Sequence, residues 1–402
     1  MKAYYKLKSE GVLSEKIEFS DRIKRLPPYI FADLEKLILE KKQAGVKIIS
    51  LSIGDPDLPP PEFVLDAFRR EVVKPENHKY SFSQGEPDFR KAVSEWYKIR
   101  FNVELDPDKE VICLIGSKEG IANVTRAFVN SGESIIVPDP AYPVYANGST
   151  VLNDCKVISL PLLEENGFKP DFNAITDAKS QLMFLNYPNN PTGETADTGF
   201  LKEAIDFAKD NELILCYDNA YSEITFDGYD APSVLQVKGA YDVALEFHSC
   251  SKTFNMTGDR VAFAVGNQKL IEGLKKVKTQ IDSGPPIYVQ KVAAAALSSY
   301  KKGKKPAFLQ KNLEIYENRR DVLIEGLKKT SLKVQKPKAT FYVWAKWPGK
   351  SIDSAKKLLN AGVIVTPGSA FGYYGEGYLR FALTTSKEAI AEACKRIMNV
   401  FS

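Results

Sequence analysis

Short apolar runs alternate with longer amphipathic stretches along most of the chain. Stretches such as 119–130 and 200–211 repeat their apolar residues with the period of a helix and are long enough to connect parallel strands. The apolar runs between such stretches have the length of strands and lie at 111–115, 134–137, 156–160, 182–185, 213–217, 243–247 and 261–265. This alternation predicts an α/β fold with a mostly parallel, seven-stranded sheet.

The alternation of short apolar runs and amphipathic stretches gives way to long predicted helices after about Pro285. Long helices are predicted over 287–300 and 306–329, and the second has the Lys, Glu and Leu content of an interdomain connector. The elements beyond it predict a small α+β domain. They are strands near 340–345, 362–365 and 378–383 and a helix over 387–401.

The predicted elements divide the chain into three parts. A helix is expected over 33–43, and a strand over 46–53 leads into a loop of Gly, Asp and Pro that starts at Gly54. The three parts are a segment 1–45 that packs with the small domain or a partner subunit, a large domain over 46–300 and a small domain over 301–402.

Composition and charge narrow the possible functions. The 402 residues include 55 Lys and Arg against 51 Asp and Glu, and the net charge of +4 is spread along the sequence, so no nucleic-acid surface is predicted. No apolar run reaches the roughly 18 residues of a membrane span, and the first residues lack the pattern of a secretory signal. We therefore expect a cytoplasmic protein without a nucleic-acid or membrane partner.

The cysteines and histidines exclude several kinds of site. The five cysteines are widely spaced without a Cys-x-x-Cys pair, which is typical of buried, reduced thiols. His78 and His248 lie far apart in the sequence, so a histidine-rich metal site or a Ser-His-Asp triad has too few parts. We expect no metal, and a catalytic base other than histidine.

The segment from Phe247 to Arg260 contains the most informative chemistry. Ser249 and Ser251 stand just before Lys252, between two predicted strands. Ser249 and Arg260 can bind a phosphate, and a lysine beside a cationic site has a lowered pKa. Because a neutral amine is the form that attacks an aldehyde, Lys252 is a candidate nucleophile. The alternative is a solvated loop with ordinary charges.

Two further polar segments follow predicted strands. Asp218 and Tyr221 come after the strand over 213–217, and Asn190 lies in a turn of Asn, Pro and Gly after the strand over 182–185. Ligands of open α/β sheets bind beyond the carboxyl ends of the strands. Asp218 can pair there with a protonated ring nitrogen, and Tyr221 can reach a phenolic oxygen. A helix cap and a surface turn are the structural alternatives.

These segments occur in the order typical of fold-type-I pyridoxal-phosphate enzymes, and the chain resembles the class I and II aminotransferases of that fold from about residue 20 to its C-terminus. The resemblance implies pyridoxal 5'-phosphate (PLP) as the cofactor. It implies that Lys252 binds the aldehyde and moves the substrate α-proton, and that Asp218 pairs with the pyridine nitrogen. Asn190 and Tyr221 are implied to bind the phenolic oxygen. Family members move an amino group between an L-amino acid and a 2-oxo acid.

The resemblance extends to segments farther from the lysine. It implies that the phosphate is bound by Ser249 and Arg260 and by a turn that contains Ser117 and Lys118. That turn stands before a predicted helix, whose N-terminal N–H groups favour anions. Tyr142 is implied to stack on the cofactor ring; a core tyrosine is the alternative.

Two predictions concern the substrate and the partner subunit. Arg380 stands in an otherwise apolar strand, where a buried guanidinium needs an anionic partner. The resemblance makes that partner the substrate carboxylate, with Gly54 in the loop that closes on it and Asn190 beside it; a structural salt bridge is the alternative. Tyr80 matches the tyrosine that reaches the phosphate in the neighbouring subunit, which implies a homodimer with shared active sites.

Several segments are similar to the LL-diaminopimelate aminotransferases of lysine biosynthesis, which use glutamate and 2-oxoglutarate as the other substrate pair. They are 25–33, 96–101, 114–122 and 139–145. The similarity implies that Tyr29 lies near the mouth of the active site as a further substrate-binding residue. It leaves open the amino donor, the stereochemical preference, oligomers beyond a dimer and closure of the N-terminal segment on substrate.

The sequence departs from that pattern after Tyr80. The relatives have a glutamate next to the following glycine, where it can meet the distal ammonium group of the substrate, whereas this chain has Ser83 and Gln84. The distal group can then be bound through water, by Glu86 or not at all. The alternatives are an aspartate- or aromatic-type aminotransferase, a carbon–sulfur β-lyase on the same fold, and a non-catalytic PLP-binding regulator.

Overall fold

The computed structural model describes residues 17–27, 38, 40, 41, 43, 45–175, 179–302 and 304–401. Tyr29 and most of the helix predicted over 33–43 lie outside these residues. The strands are β1 (Ile49–Ser50), β2 (Val111–Leu114), β3 (Ser134–Asp139), β4 (Lys156–Pro161), β5 (Leu182–Asn186), β6 (Ile214–Asp218), β7 (Ala244–Ser249), β8 (Ala262–Gly266), β9 (Lys333–Val334), β10 (Tyr342–Lys346), β11 (Val363–Ile364), β12 (Thr366–Pro367) and β13 (Tyr378–Ala382). The α-helices are Asp21–Lys24, Glu62–Glu71, Pro87–Phe101, Ser117–Phe128, Thr198–Asp210, Ala240–Val243, Cys250–Thr253, Gln268–Lys278, Ile287–Leu297, Ala307–Leu327, Ser351–Asn360 and Lys387–Phe401.

The large sheet has seven strands in the order β2-β8-β7-β6-β5-β3-β4. Neighbouring strands from β4 to β7 are parallel, whereas β8 runs antiparallel to both β7 and β2. Each of the seven predicted apolar runs forms one of these strands. The predicted α/β fold with a mostly parallel, seven-stranded sheet is therefore confirmed.

Helices cover both faces of this sheet, which is why its central strands are mostly apolar. Successive residues of a strand point to opposite faces. In β5, Leu182 packs in the hydrophobic cluster that contains Ile121 of one covering helix, whereas Met183 packs in the cluster that contains Phe200 of another. Most polar side chains of these strands lie at the strand ends; Glu246 and His248, within β7, are buried exceptions whose side chains hydrogen-bond to each other at 2.8 Å.

The C-terminal strands form two smaller sheets. A four-stranded antiparallel sheet has the order β12-β13-β10-β9, and β1 pairs in parallel with β11. The strand predicted over 46–53 is thus limited to Ile49–Ser50 and joins a C-terminal strand rather than the large sheet. The apolar run correctly predicted a strand, but its sequence does not indicate which strand it pairs with. The division into domains at 45 and 300 stays a prediction.

All five cysteines are buried and unpaired, which confirms the sequence prediction for them. They are Cys113, Cys155, Cys216, Cys250 and Cys394. Within the described ranges, no helix combines the length and the apolar character needed to cross a lipid bilayer.

Truncation of the buried Leu51 side chain, directly after β1, tests the pairing of β1 with the C-terminal strands. Its N–H donates to the carbonyl of Ile364 at 2.7 Å, and its side chain is fully buried. Leu51→Ala should lower the free energy of unfolding by about 2–5 kcal/mol, measured from urea unfolding. Ile53→Ala is the matched control, because Ile53 is 67% exposed, and its effect should stay within about 0.5 kcal/mol. Equal effects would contradict this pairing.

Candidate active site

A cavity of about 560 Å³ lies beyond the carboxyl ends of β5, β6 and β7 and extends to the C-terminal sheet. Asn186, Asp218 and Ser249 are the last residues of these three strands, so parallel register brings them to the same edge. The cavity brings together the predicted residues Gly54, Ser117, Lys118, Tyr142, Asn190, Asp218, Tyr221, Ser249, Lys252, Arg260 and Arg380.

Lys252 lies in the short helix that follows β7. Ser249 caps this helix, since its hydroxyl accepts the N–H of Ser251 at 3.2 Å. The Nζ atom of Lys252 donates to the carbonyl of Gly54 at 3.0 Å. Burial and the neighbouring cations Arg260 and Arg380 lower the pKa of Lys252 to about 8. The neutral form, which nucleophilic attack requires, is therefore far more populated near physiological pH than in an exposed lysine.

Asp218 ends β6 as a buried carboxylate. The hydroxyl of Tyr145 donates to its Oδ2 atom at 2.7 Å, and the N–H of Ala220 approaches Oδ1 at 3.3 Å. Burial raises the pKa of Asp218 to about 6, although the Tyr145 hydrogen bond acts in the opposite direction. A cation placed against this carboxylate would lower its pKa again and stabilise the ionised form, which matches the predicted pairing with a protonated ring nitrogen.

The turn before the helix Ser117–Phe128 faces the guanidinium of Arg260. Gly116 has a φ of +77°, and a Cβ atom there would overlap that guanidinium. Arg260 itself has a φ of +55°, and its Nη1 atom donates to the carbonyl of Thr257 at 2.9 Å. Together with Ser249, the helix N-terminus and Arg260 form a cradle of donors of the kind that binds phosphate.

Arg380 is buried without a carboxylate partner within ion-pair distance among the described residues. Its Nη1 atom donates to Asn190 Oδ1 at 2.7 Å and its Nη2 atom to the carbonyl of Ser52 at 2.7 Å, while Nε has no hydrogen-bond partner. The rings of Tyr342 and Phe371 lie 4.1 and 4.6 Å from the guanidinium carbon. Because a buried guanidinium needs an anion, this arrangement favours a carboxylate ligand over the structural salt bridge.

Two tyrosines of this cavity, Tyr145 and Tyr342, are not predicted from the sequence. Tyr145 holds Asp218, and the hydroxyl of Tyr342 lies 3.1 Å from that of Tyr221. A Cβ atom at Gly54 would overlap the Tyr342 hydroxyl, which accounts for glycine at that position. Tyr145 stands three residues after Tyr142, a spacing that could have suggested it. Tyr342 lies in an apolar strand, where its sequence context does not distinguish it from a core residue.

Tyr80 and Gln84 do not line the cavity of their own chain. Tyr80 is 90% exposed. The Gln84 amide donates to the carbonyls of Asp108 and Val111 at 2.8 and 3.1 Å, and its oxygen accepts from Lys275 Nζ at 2.7 Å. The amide of Gln84 is therefore engaged in holding its own loop.

The chemistry of the cavity fits PLP. A lysine with a lowered pKa, a buried carboxylate and a cradle of phosphate donors face one space, and Tyr142 forms an aromatic wall there. These groups match the aldehyde, the ring nitrogen, the phosphate and the ring face of the cofactor.

Comparison with known proteins extends this agreement to the whole chain. Residues 46–397 match the family described as aminotransferase class I and II. The chain is 49% identical over 385 residues to the LL-diaminopimelate aminotransferase of Moorella thermoacetica, covering 94% of this chain and 97% of that protein. It is 47% identical over 382 residues to the enzyme of the same name from Desulforudis audaxviator, covering 94% and 96%.

The fold has counterparts among solved structures. The substrate-bound structure of BacF from Bacillus subtilis matches with a TM-score of 0.89 and 37% identity, over 95% of this chain and 97% of that chain. The sequence matches and the fold agree with the resemblance that the individual segments indicated. The chain belongs to the class I and II aminotransferases and is a PLP-dependent enzyme.

Proposed function

We propose that this aminotransferase moves an amino group between LL-diaminopimelate and 2-oxoglutarate in lysine biosynthesis. The observation that carries the proposal is the 49% identity, over 94% of the chain, to an LL-diaminopimelate aminotransferase. The cavity supports it, because Arg380 has no carboxylate partner among the described residues and an unused Nε donor. The unpaired, buried cysteines support a reducing compartment such as the cytoplasm.

Lys252 is the proposed catalytic base. When bound, PLP supplies an electron sink for the electron pair of the substrate Cα–H bond. The Nζ atom of Lys252 accepts the proton from Cα, which requires the neutral amine, and would then donate it to the cofactor rather than back to Cα. Burial, Arg260 and Arg380 lower the pKa of Lys252 to about 8, so the base is available at neutral pH.

Asp218 and the phosphate cradle are proposed to hold the cofactor. The positive ring nitrogen would keep the Asp218 carboxylate ionised despite its burial, and the Tyr145 hydroxyl orients that carboxylate. Ser117, Ser249 and Arg260 would bind the phosphate at the opposite end. The cofactor is then fixed at both ends while Lys252 moves the proton.

Arg380 and Asn190 are proposed to bind the substrate α-carboxylate. The guanidinium lies between two aromatic rings and is held by Asn190 and the Ser52 carbonyl, which fixes the direction of its remaining donors. Tyr221 and Tyr342 close the cavity beside it. A carboxylate in this position directs the substrate amine towards Lys252.

We also propose a homodimer with shared active sites. Tyr80 and Phe82 are 90% and 66% exposed, so neighbouring aromatic side chains lie outside the core of the chain. Exposed apolar surface of this kind is typical of a protein interface. On the family pattern, the partner's Tyr80 reaches the phosphate cradle, and each site then needs both subunits.

The substrate is tested by single-turnover reactions. The PLP enzyme is mixed separately with LL-diaminopimelate, meso-diaminopimelate, glutamate, aspartate and phenylalanine, and the 2-oxo acid formed is measured. We expect rapid formation with LL-diaminopimelate and glutamate only, since these are the proposed substrate pair. Conversion of aspartate or phenylalanine without diaminopimelate would contradict the proposal and favour the general aminotransferase. In a separate reaction with cystathionine, cleavage of its carbon–sulfur bond would favour the β-lyase.

The lowered pKa of Lys252 predicts how uptake of PLP by the apoenzyme depends on pH. The rate should rise with pH through a midpoint near pH 8, because only the neutral amine attacks the aldehyde. Arg380→Met removes a cation that lowers this pKa, so the midpoint of the pH profile of PLP uptake should move to higher pH in this variant. Arg380→Lys retains the charge and is the matched control. A rate independent of pH, or the same shift in both variants, would be the contrary result.

Mixing two defective variants tests the shared active sites. Lys252→Ala and Tyr80→Ala should each have little activity alone. After subunit exchange, the mixture should regain up to about a quarter of wild-type activity, because half of the dimers then contain one intact site. Activity that stays at the sum of the two variants would count against a site built from both subunits. Lys252→Ala mixed with the wild type is the control for the mixing itself, because half of its sites are intact with or without exchange, so its activity should stay at about half of the wild-type value.

A further inference from the structure

Asp139, the last residue of β3, has a half-buried carboxylate that holds a distant loop. The N–H of Tyr373 donates to its Oδ2 atom and the N–H of Tyr374 to its Oδ1 atom, both at 3.0 Å. These N–H groups open the 3₁₀ turn Tyr373–Gly375. Such groups have no partner within their own turn, so a carboxylate from the large sheet supplies it.

Two further features fix the same contact. The N–H of Ala141 donates to the carbonyl of Phe371 at 2.8 Å. Gly372 lies between the bonded positions with a φ of +135°, and a Cβ atom there would overlap the Asp139 carboxylate. The close approach of the two loops therefore depends on glycine at 372 and on a carboxylate at 139.

Each side of this contact leads directly to the active site. Tyr142 follows Ala141 and lines the cavity as the proposed cofactor wall. Phe371 precedes Gly372, and its ring lies 4.6 Å from the guanidinium carbon of Arg380. The hydrogen bonds of Asp139 thus connect the wall of the cofactor site with the pocket of the substrate carboxylate.

We propose that Asp139 is a positioning residue for substrate binding, because it holds Phe371 against Arg380 and fixes Arg380 relative to Tyr142. The inference rests on the proposed roles of Arg380 and Tyr142, but it does not depend on which amino acid is the substrate. Asp139 acts through these residues and touches neither substrate nor cofactor.

Asp139→Asn tests this role in the PLP enzyme. The amide offers one oxygen, and its NH₂ group cannot accept the second N–H. We expect the KM for glutamate to rise about tenfold, the effect of one charge-assisted hydrogen bond, while kcat changes less than about threefold. If glutamate is not a substrate, the amino acid that the single-turnover panel identifies takes its place, so failure of the diaminopimelate assignment leaves this test intact.

Asp171→Asn is the matched control. Asp171 is an exposed carboxylate that accepts the N–H of Asn173 at 3.0 Å at the start of another 3₁₀ turn, and it does not line the cavity. Its KM should equal that of the wild type. Gly372→Ala retains Asp139 but removes the space for its carboxylate, so it should raise the KM as Asp139→Asn does.

Methylamine separates positioning of Arg380 from general damage to the site, because it has an amine but no carboxylate. The absorption change of the bound cofactor with methylamine should have the same concentration dependence in Asp139→Asn and the wild type. An unchanged KM for the amino acid in Asp139→Asn, or equal losses with methylamine and the amino acid, would overturn the proposal. If Asp139→Asn does not fold, the same outcomes for Gly372→Ala decide it.

Discussion

Parallel register of β5, β6 and β7 within a sheet covered on both faces determines the layout of this enzyme. The interiors of these strands are mostly apolar because helices pack on both sides, and apart from the hydrogen-bonded pair Glu246 and His248 in β7 the polar residues stand near the strand ends. Register then brings the ends of the three strands to one edge, and the asparagine turn, Asp218 and the helix of Lys252 all begin there. One geometric constraint thus assembles groups that are far apart in the sequence.

The same apolar surroundings set the charges of the site. Burial raises the pKa of Asp218 to about 6 and lowers that of Lys252 to about 8, since each charged form loses hydration. Arg380 is also buried, with aromatic rings and neutral oxygens around it. The ring nitrogen of PLP would compensate the burial of Asp218, and its aldehyde would react with the neutral form of Lys252. A substrate carboxylate would compensate the burial of Arg380. The burial of charged groups therefore explains both why this cavity would bind charged ligands and why Lys252 is reactive in it.

The sequence could predict the features that depend on local patterns. Strands buried on both faces form nearly continuous apolar runs, and polar residues stand near their ends. The seven strands and the position of Lys252 can therefore be predicted from the sequence. Features that depend on the pairing of distant segments cannot be predicted in this way. The partner of β1, the contact of Tyr342 with Tyr221 and the engagement of Gln84 with Lys275 each join segments whose sequences contain no sign of the other.

The pairing of β1 with β11 has a consequence for the order in which the protein is made. Ribosomes add about 5–20 residues per second, so β1 waits on the order of tens of seconds before its partner strand is synthesised. The seven strands of the large sheet are complete at Gly266, well before that. The nascent chain can therefore fold its central sheet first, while β1, which precedes Gly54, pairs only when the C-terminal strands emerge. The cavity acquires Arg380 last, so a truncated or stalled chain can contain Lys252 without that arginine.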